Sequence, residues 1–382
     1  MVYDLVVVGA GPAGSTAARV AADNGLKVAL VDKRSRIGFP KQCAEGVNAF
    51  ILDFLGLKLK KEWISNKIDS ALAGCPDKGL VFLKTNNCKG YILDRKKFDS
   101  GLADLAVDAG VELLKSSPVV GLENKNTIVR LKSGKNLKAR AVIGADGPSS
   151  IVARSAGLGV PSSGIGLQYE IKGKIDYPNT IRAFAGLNVV ENGFGWIFPK
   201  KDTFNIGVGS YRQVYLKERL DNLVKLTGVK GKILETNGGL IPLGGSLLKF
   251  YSDNLMLVGD AAGHTNPLTG GGIPAAIFDG ELAARILVEE LESEKMDFSR
   301  YQTEWEKSVF GFAMKNSLIA KKYFLKSLEN GYFDNVFKNI GFVRLKSMTD
   351  GLNFIHKVRN PLAMFNLLMF GKNFLKIHQF AW

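Results

Sequence analysis

Positions 6–14 carry the sequence VVVGAGPAG, in which an apolar run leads into three glycines with the spacing GxGxxG. The apolar run predicts a buried strand, and the residues after it predict a helix. Gly9 permits a tight turn, Gly11 lets backbone N–H groups approach a pyrophosphate, and Gly14 lets the helix pack on the strand. The stretch therefore predicts the first strand, turn and helix of a dinucleotide-binding fold.

An acidic residue follows at the distance that such a fold requires. A second predicted strand, at 27–31, ends at Asp32, about twenty residues past the glycines, where a carboxylate holds a ribose hydroxyl. The helix N-terminus after Gly11 favours negative charge through its dipole and its unpaired N–H groups. Asp32 and the glycine turn together predict a bound adenine dinucleotide.

Two further glycine-rich turns follow in a fixed order, VIGADGP at 142–148 and LVGDAAG at 257–263. Each places an Asp just past the carboxyl end of a predicted strand, where ligands bind in open α/β sheets. One GxGxxG motif is weak evidence, but the ordered triple points to FAD. The Asp260 carboxylate can hold a ribityl hydroxyl, and the backbone of 270–272 can direct N–H groups at the flavin pyrimidine edge.

Length and composition indicate a globular protein of two or three domains, since 382 residues with 46% hydrophobic content can bury sizeable cores. A nucleotide-binding strand that starts at residue 3 predicts that no signal peptide precedes it. The sequence contains no apolar run of eighteen residues, so it predicts no transmembrane helix. Three cysteines, Cys43, Cys75 and Cys88, do not make a disulfide framework, although Cys75 and Cys88 could pair, and there is no cysteine cluster to hold an iron–sulfur centre. We therefore expect a cytoplasmic protein.

The net charge of +15 predicts an anionic partner. The absence of a Lys/Arg block or a nucleic-acid motif favours a membrane surface or a phospholipid over nucleic acid, and an evenly solvated lysine-rich surface is the alternative. Residues 301–382 hold 16 of the 37 aromatic residues, with 12 Lys/Arg against 5 Asp/Glu. Three apolar stretches with interspersed cations, at 323–326, 342–346 and 361–370, are typical of interfacial helices, and a helical bundle packed on a sheet is the alternative.

The pattern of elements predicts an α/β fold, α+β overall, in three parts. A Rossmann-like FAD-binding domain of the aromatic-hydroxylase type is expected to be discontinuous, over 1–65, 90–160 and 250–290. Alternating strands predict an antiparallel β-sheet domain over 66–89 and 161–249, which is interpreted as the catalytic and substrate domain. A helical C-terminal domain is expected over 291–382.

With these motifs in place, the chain resembles the geranylgeranyl reductases among the flavoproteins related to aromatic hydroxylases, and most of all their archaeal digeranylgeranylglycerophospholipid-reducing branch. Beyond the first glycine loop, the resemblance rests on strings that are QCAEGV at 42–47, YILDRKKFD at 91–99, GADG at 144–147 with Ser150 and Arg154, FGWIFPK at 194–200, and GDAAG at 259–263 with Pro267 and GGGI at 270–273. The family's aromatic strand has the form YxWxFP and often begins with Tyr, where this chain has Phe194.

The resemblance implies tightly bound FAD and reduction of carbon–carbon double bonds in isoprenoid chains. It implies an unsaturated, prenylated diether phospholipid as substrate. We expect an external electron donor, ferredoxin or another reductant, and, from the composition of 301–382 and the lipid substrate, a peripheral location on the inner face of the cell membrane. The FAD contacts carried over by the resemblance are Ala13, Gly14, Asp32, Cys43, Ala44, Gly46, Arg95, Val119, Asp260, Gly272 and Ile273, with Val120 as the alternative to Val119. Arg95 is expected to pair with the pyrophosphate or to steady the flavin loop.

Three residues are candidates for the chemistry. An isolated alkene is a poor hydride acceptor, so protonation must accompany or precede hydride delivery and leave cationic character on the tertiary carbon. The aromatic faces of Trp196 and Phe198 can stabilise that charge, with packing across the sheet as the alternative role. Cys43 is expected beside the flavin, where it tunes the ring, senses redox state or lies near the alkene, with a small buried apolar residue as the alternative. For His264, a hydrogen bond within its loop is favoured over acid catalysis.

Three other functions share these motifs. An FAD-dependent aromatic monooxygenase or halogenase has the same fold but uses oxygen. An electron-transfer flavoprotein of the quinone-oxidoreductase type is disfavoured by the missing cysteine cluster, and a flavin sensor acting through Cys43 would bind FAD without turnover.

Overall fold

In the computed structural model, residues 2–84, 89–212, 214–293, 295–338, 342–345, 369–370 and 372 are described. Their helices, in chain order, are α1 (Pro12–Asp23), α2 (Ala49–Phe54), α3 (Arg95–Asp108), α4 (Ile151–Ser155), α5 (Lys217–Thr227), α6 (Ile273–Glu290), α7 (Ser299–Lys307), α8 (Val309–Glu329) and α9 (Tyr332–Lys338). Single 3₁₀ turns span Lys61–Trp63 and Gly259–Ala261.

The strands of the same residues form three sheets. In chain order they are β1 (Val2–Val8), β2 (Val28–Val31), β3 (Gly46–Asn48), β4 (Ile64–Ile68), β5 (Ser70–Cys75), β6 (Gly79–Lys84), β7 (Gly90–Leu93), β8 (Glu112–Leu114), β9 (Val119–Glu123), β10 (Ile128–Leu131), β11 (Asn136–Gly144), β12 (Ser163–Lys172), β13 (Thr180–Phe184), β14 (Gly193–Pro199), β15 (Thr203–Ser210), β16 (Lys232–Pro242), β17 (Tyr251–Ser252), β18 (Leu255–Leu257) and β19 (Phe342–Leu345).

The chain divides into two compact units. The first unit comprises Met1–Lys41, Arg95–Ser162 and Pro242–Met314, and the second comprises Gln42–Asp94, Ser163–Ile241 and Lys315–Trp382. The division places 42–65 and 90–94 in the second unit, whereas the sequence assigned them to the FAD-binding domain. The organisation into three domains stays a prediction, because a division by compactness does not establish which segments fold independently.

The first unit contains the predicted doubly wound layer. Its sheet has the order β17-β18-β11-β1-β2-β8, and β9 and β10 continue from β11. The strands β18, β11, β1 and β2 are parallel neighbours, and Val8 lies in register with Gly144, which pairs in turn with Leu257. The three glycine motifs therefore leave the sheet side by side at the carboxyl ends of adjacent strands, as the sequence predicts.

Helices α1 and α6 pack closely in this unit because small residues face each other. A Cβ on Gly280 of α6 would lie 2.2 Å from the carbonyl oxygen of Ala13 in α1. A Cβ on Gly259, which precedes α6, would lie 3.2 Å from the Ala13 methyl group. This close packing fixes the start of α1 beside the turn that carries Asp260.

The second unit contains the predicted β-rich layer. Its main sheet has the order β16-β12-β15-β14-β13-β5-β6-β19, and β3, β7 and β4 form a small antiparallel sheet. The neighbours from β12 to β13 are antiparallel, while β13–β5 and β6–β19 are parallel. Strands β5 and β6 join the main sheet, as expected for 66–89. Helix α5 covers one face through Leu220 and Leu223, which are buried with the apolar side chains of β12, β14 and β15.

The C-terminal third differs from its prediction at one point. The stretch at 342–346 has a composition typical of an interfacial helix, but Phe342–Leu345 form the strand β19, which pairs with β6. A new strand that satisfies the backbone groups of a sheet edge outweighs a helical preference inferred from composition. The stretch at 323–326 lies in α8, and positions 361–368 lie outside the described residues. Among the described helices, none combines the length and the apolar content needed to cross a membrane.

Candidate active site

Gly9 and Gly14 are required by packing within the first loop. Gly9 has φ +106°, in the region that favours glycine, and a Cβ there would lie 2.3 Å from the carbonyl oxygen of Ala145. A Cβ on Gly14 would lie 1.9 Å from the carbonyl oxygen of Gly9. These two glycines bring the first and second motifs into contact, and neither position tolerates a side chain.

Gly11 differs, because its missing side chain serves no internal contact. A Cβ on Gly11 would meet nothing within 4 Å, and its φ of −80° is open to any residue. Gly11 is the N-cap of α1, and within the described residues no side chain caps this helix. The open space at an uncapped helix N-terminus fits a pyrophosphate, which is held by backbone N–H groups and the helix dipole.

Asp32 lies buried at the end of β2, where its carboxylate oxygens organise the same loop. It accepts hydrogen bonds from the backbone N–H groups of Ala10 and Arg34, both at 2.8 Å. Oδ1 also lies 3.3 Å from Arg34 Nε, so Oδ2, which accepts from Ala10, is the oxygen that offers a second lone pair to a ribose hydroxyl. The N–H of Ser117 donates to the Asp32 carbonyl at 2.9 Å, which brings the segment before Val119 to this strand end. Val119 itself is buried at the start of β9, whereas its neighbour Val120 is exposed.

Asp260, Gly272 and Ile273 are brought together at the third motif. Thr265 donates its hydroxyl to the Asp260 carboxylate, and a Cβ on Gly272 would lie 2.9 Å from the Thr265 Oγ1 and 3.4 Å from Asp260 Oδ1. Gly272 is the N-cap of α6, and Ile273 is the first residue of that helix, which has no side-chain cap among the described residues. This arrangement presents a second uncapped helix N-terminus beside a carboxylate, where the helix dipole favours negative charge.

The charge state of Asp260 depends on its surroundings. Burial raises the pKa of Asp260, while the Thr265 hydroxyl and the positive charge of Arg95 partly oppose that rise. Because the folded-state pKa is raised, the stabilising contribution is present at low pH and is lost as the pH rises through that pKa. The ionised carboxylate is therefore a stability cost near neutral pH, and a hydroxyl-bearing ligand would offset it.

Arg95 is committed to a local partner. Its guanidinium makes a bidentate ion pair with Asp99 one turn along α3, with Nε–Oδ1 at 2.7 Å and Nη2–Oδ2 at 2.8 Å. The ion pair with Asp99 thus holds in place the guanidinium whose positive charge opposes the rise in the pKa of Asp260. Its predicted contact with the pyrophosphate stays a prediction.

The aspartate of the second motif serves its own helix. The Asp146 carboxylate accepts from the Ser150 hydroxyl and from the backbone N–H groups of Ile151 and Val152, at the start of α4. Ser150 is the N-cap of α4, and Asp146 supports this helix start by accepting from the N–H groups of its first two residues.

The second unit brings the segment Cys43–Gly46, called the cysteine segment, together with the aromatic strand β14, which carries Trp196 and Phe198. A Cβ on Gly46 would lie 2.6 Å from the Phe198 ring. The Cys43 thiol is half-buried, and the Glu45 N–H donates to its sulfur at 3.2 Å. The carbonyl of Ala44 accepts from the Asn205 side chain at 3.2 Å. The sequence-predicted residues Cys43, Ala44, Gly46 and Phe198 thus form one cluster.

Trp196 and Phe198 occupy different surroundings on β14. Trp196 is 8% exposed, and its indole N–H donates to Gln168 Oε1 at 3.2 Å. Phe198 packs on the apolar side chains of Ile68, Ile92 and Ile181, which supports the packing role that the sequence left open for it. The catalytic roles of Cys43, Trp196 and Phe198 stay predictions.

A buried ionic network beside Cys43 was missed from the sequence. Glu45 is fully buried with φ +75°, and its carboxylate accepts from Lys200 Nζ at 2.9 Å and from Asn205 at 2.8 Å. Burial disfavours the Lys200 charge, but the carboxylates of Glu45 and Glu170 outweigh it and raise the pKa of Lys200. The signal available in the sequence was one acidic residue, Glu45 in QCAEGV, and one basic residue, Lys200 in FGWIFPK, within the two strings that the resemblance singled out.

His264 supports the third motif from behind. Its Nδ1 lies 2.6 Å from Asp279 Oδ2, its ring stacks on Trp305 at 3.7 Å, and its side chain is buried. Asp279 also accepts from the Gly259 N–H and from the Tyr301 hydroxyl. The favoured interpretation of His264 as a loop-holding residue agrees with this geometry. Asp279 and Tyr301 were missed because their contacts join distant segments.

The fold and the first-unit site define an FAD-dependent oxidoreductase, and residues 4–161 match the family model described as FAD dependent oxidoreductase. A digeranylgeranylglycerophospholipid reductase 1 of Methanococcoides burtonii is 35% identical, over 92% of this chain and 91% of the relative. A second such reductase, from Methanopyrus kandleri, is 36% identical over 80% of this chain and 86% of the relative. The chain belongs to the digeranylgeranylglycerophospholipid reductase family.

Solved structures agree with this assignment. A geranylgeranyl bacteriochlorophyll reductase-like protein from Thermoplasma acidophilum has a TM-score of 0.80 and 30% identity, covering 96% of this chain and 99% of its own. The halogenase PltM in complex with phloroglucinol and FAD has a TM-score of 0.68 at 15% identity, covering 88% of this chain and 79% of its own. At that identity the halogenase shares the fold alone.

Proposed function

We propose that this chain uses FAD to reduce isoprenoid carbon–carbon double bonds in geranylgeranyl diether phospholipids. The observation that carries the proposal is the joining of the Cys43–Gly46 segment to the Trp196–Phe198 strand in the second unit. The names of the relatives supply the substrate class. A monooxygenase or halogenase has no comparable support, because the halogenase likeness extends to the fold alone.

The reduction adds one proton and one hydride across a C=C bond. Bound FAD in its reduced state would supply the hydride with its two electrons, water would supply the proton, and an external donor, ferredoxin or another reductant, would restore the reduced FAD. Trp196 presents an aromatic face that stabilises developing positive charge on the tertiary carbon. The Phe198 ring packs directly against the backbone of Gly46, and Cys43 lies within the same cluster.

Chemically reduced protein is expected to increase the mass of a geranylgeranyl diether phospholipid by two for each double bond reduced. Trp196→Leu is expected to slow this reaction by about 30-fold, since a desolvated cation–π contact is worth about 2 kcal/mol. Trp63→Leu is the matched control, because Trp63 is equally buried in the second unit and has no proposed role in the reaction. Mass spectrometry of the extracted lipid measures both rates.

The absence of any mass increase with several reductants and detergents would reject the reductase proposal. Substrate-triggered, oxygen-dependent hydroxylation would support a monooxygenase instead. If Trp63→Leu slows the reaction as much as Trp196→Leu, the loss reflects stability and not charge stabilisation.

We propose further that the protein lies peripherally on the inner face of the cell membrane and docks through one face of α8. In the part of this helix that belongs to the second unit, the apolar side chains of Leu318 and Ile319 are exposed, with Ile319 at 44%. The exposed side chains of Lys315, Lys322 and Lys326 lie on the same face, because the five positions fall within one third of the helix circumference. Cations beside apolar side chains suit anionic headgroups above an acyl layer.

The protein is expected to float with anionic liposomes at low salt. Lys322→Glu should weaken this binding by roughly 30-fold, since each cation near the surface contributes about 1 kcal/mol and reversal of the charge doubles the effect to about 2 kcal/mol. High salt should reduce binding, and Ile319→Ser should remove much of the salt-resistant remainder. Lys135→Glu, on the exposed turn between β10 and β11, is the matched charge control. Equal losses for Lys322→Glu and Lys135→Glu would reject a specific docking face.

A further inference from the structure

Gln168 lies between two of the candidate catalytic residues and bonds to both. Its Oε1 accepts the Trp196 indole N–H at 3.2 Å, and its Nε2 donates to the Cys43 carbonyl at 2.8 Å. The opposite orientation of the amide would place its NH₂ against the indole N–H and its oxygen against a carbonyl. Both contacts would be repulsive, so the two partners together fix the amide in one orientation.

The sheet register explains how the indole reaches Gln168. Trp196 on β14 pairs with Gly207 on β15, and Gly207 pairs with Gln168 on β12. The three residues therefore form one row across three strands and share one face of the sheet. A Cβ on Gly207 would lie 2.4 Å from the Trp196 ring and 2.7 Å from the Gln168 Cβ. The glycine in the middle of the row leaves the space through which the indole crosses.

Two further glycines, Gly209 and Gly166, extend the space that Gly207 leaves for the indole ring on this face of the sheet. A Cβ on Gly209 would lie 3.2 Å from the Trp196 ring, and one on Gly166, which pairs with Gly209, would lie 3.7 Å from it. The ring therefore lies flat across β15 toward β12. The orientation of the ring depends on its packing against these three glycines and on the hydrogen bond that its N–H donates to Gln168.

The other end of the link is the backbone of the cysteine segment. Gln168 holds the Cys43 carbonyl, while Asn205, two residues from Gly207 on β15, holds the Ala44 carbonyl and the Glu45 carboxylate. Gln168 is 3% exposed and Asn205 is fully buried, so water does not compete for these bonds. Because buried bonds of this kind are costly to leave unmade, the segment is held against the sheet at successive residues.

We propose that Gln168 is a positioning residue that fixes the Trp196 indole and the Cys43 segment relative to each other. The inference rests on the proposed function, in which Trp196 stabilises charge on the alkene and Cys43 lies in the same cluster. A side chain that donates at one end and accepts at the other is required, because Trp196 offers a donor and Cys43 offers an acceptor. Gln168 acts through these two residues and touches neither hydride nor proton.

The test measures the link without any lipid. Gln168→Met keeps the side-chain length but removes both hydrogen bonds, and it is expected to raise the rate of Cys43 alkylation by iodoacetamide by about tenfold, the worth of one buried hydrogen bond. Peptide mass spectrometry resolves Cys43 from the other cysteines. Trp196→Phe is expected to raise the same rate, and the double variant should react no faster than Gln168→Met. Gln168→Met is also expected to change the tryptophan fluorescence of the protein, because Trp196 loses its hydrogen bond. This change should vanish when Trp196 is replaced by Phe.

Thr180→Val is the matched control, because it removes a buried hydroxyl bond to Ser70 in the same sheet without touching Trp196 or Cys43. Its Cys43 rate should stay within about twofold of the parent. Independent, additive effects of Gln168→Met and Trp196→Phe on alkylation, or no effect of either, would overturn the proposal. If Gln168→Met does not fold, Trp196→Phe alone decides, since it removes the indole donor and must still raise the Cys43 rate.

Turnover separates this proposal from the reductase proposal. In the lipid assay, Gln168→Met is expected to lower kcat by about tenfold while KM stays within about twofold, because positioning and not substrate binding is lost. If no variant reduces the lipid but the alkylation coupling holds, the reductase proposal fails and the positioning role of Gln168 stands. If turnover is normal in Gln168→Met, the positioning role is rejected.

Discussion

Substitution of Gly11 by valine is expected to weaken FAD binding by at least about 100-fold while the apoprotein stays folded. The valine side chain would fill the open space at the N-terminus of α1, where backbone N–H groups must meet the pyrophosphate. Loss of two charge-assisted hydrogen bonds, at about 1.5–3 kcal/mol each, accounts for this factor. The apoprotein should be unaffected because φ at Gly11 suits any residue. Flavin fluorescence titration measures the affinity, and thermal unfolding measures the fold.

Gly14→Ala is the contrasting variant. Its methyl group would lie 1.9 Å from the carbonyl oxygen of Gly9, so this substitution should destabilise the apoprotein itself. The pair of variants thus separates a glycine needed by the ligand from a glycine needed by packing. Wild-type FAD affinity in a folded Gly11→Val protein would show that the pyrophosphate lies elsewhere.

The convergence of the three glycine motifs could be predicted because it follows from local rules. Each motif ends a short apolar strand, and parallel strands in an open sheet present their carboxyl ends at one edge. The structure places Val8, Gly144 and Leu257 in one register row, which brings the motifs together. The turn glycines, the helix start after Gly11 and the acid at Asp32 all lie within about thirty residues of one another, where spacing alone determines geometry.

The contacts that hold the second-unit cluster could not be predicted in this way. Trp196 meets Gln168 only because β15 lies between their strands with Gly207 at the matching register, and no local pattern specifies that register. The local contacts of Asp146 were not predicted either, since its carboxylate accepts from the N–H groups that begin α4. Local sequence identifies which residues carry chemistry, whereas long-range pairing decides what each of them touches.

Asp279 is the clearest case of a residue that the local pattern conceals, since it lies in the middle of the apolar helix α6. Its buried carboxylate accepts from the Gly259 N–H at the third motif, contacts His264, and accepts from the Tyr301 hydroxyl. Burial and the Asp279 charge raise the pKa of Tyr301 well above its ordinary value, so this hydroxyl stays protonated and donates. The Tyr301 hydroxyl also lies 2.8 Å from the Leu257 carbonyl on β18.

Asp279→Ala is therefore expected to lower the free energy of unfolding by about 3–5 kcal/mol, because three buried groups lose their acceptor at once. FAD affinity should fall with it, since the Gly259 turn that Asp279 holds also carries Asp260. Denaturant unfolding of the apoprotein and flavin titration measure the two effects. Glu281→Ala is the matched control on the same helix, where an exposed, 3.9 Å ion pair with Arg285 is worth less than about 1 kcal/mol. Equal, small losses in the two variants would mean that the third motif keeps its shape without Asp279, and that β18 and α6 hold the turn by packing alone.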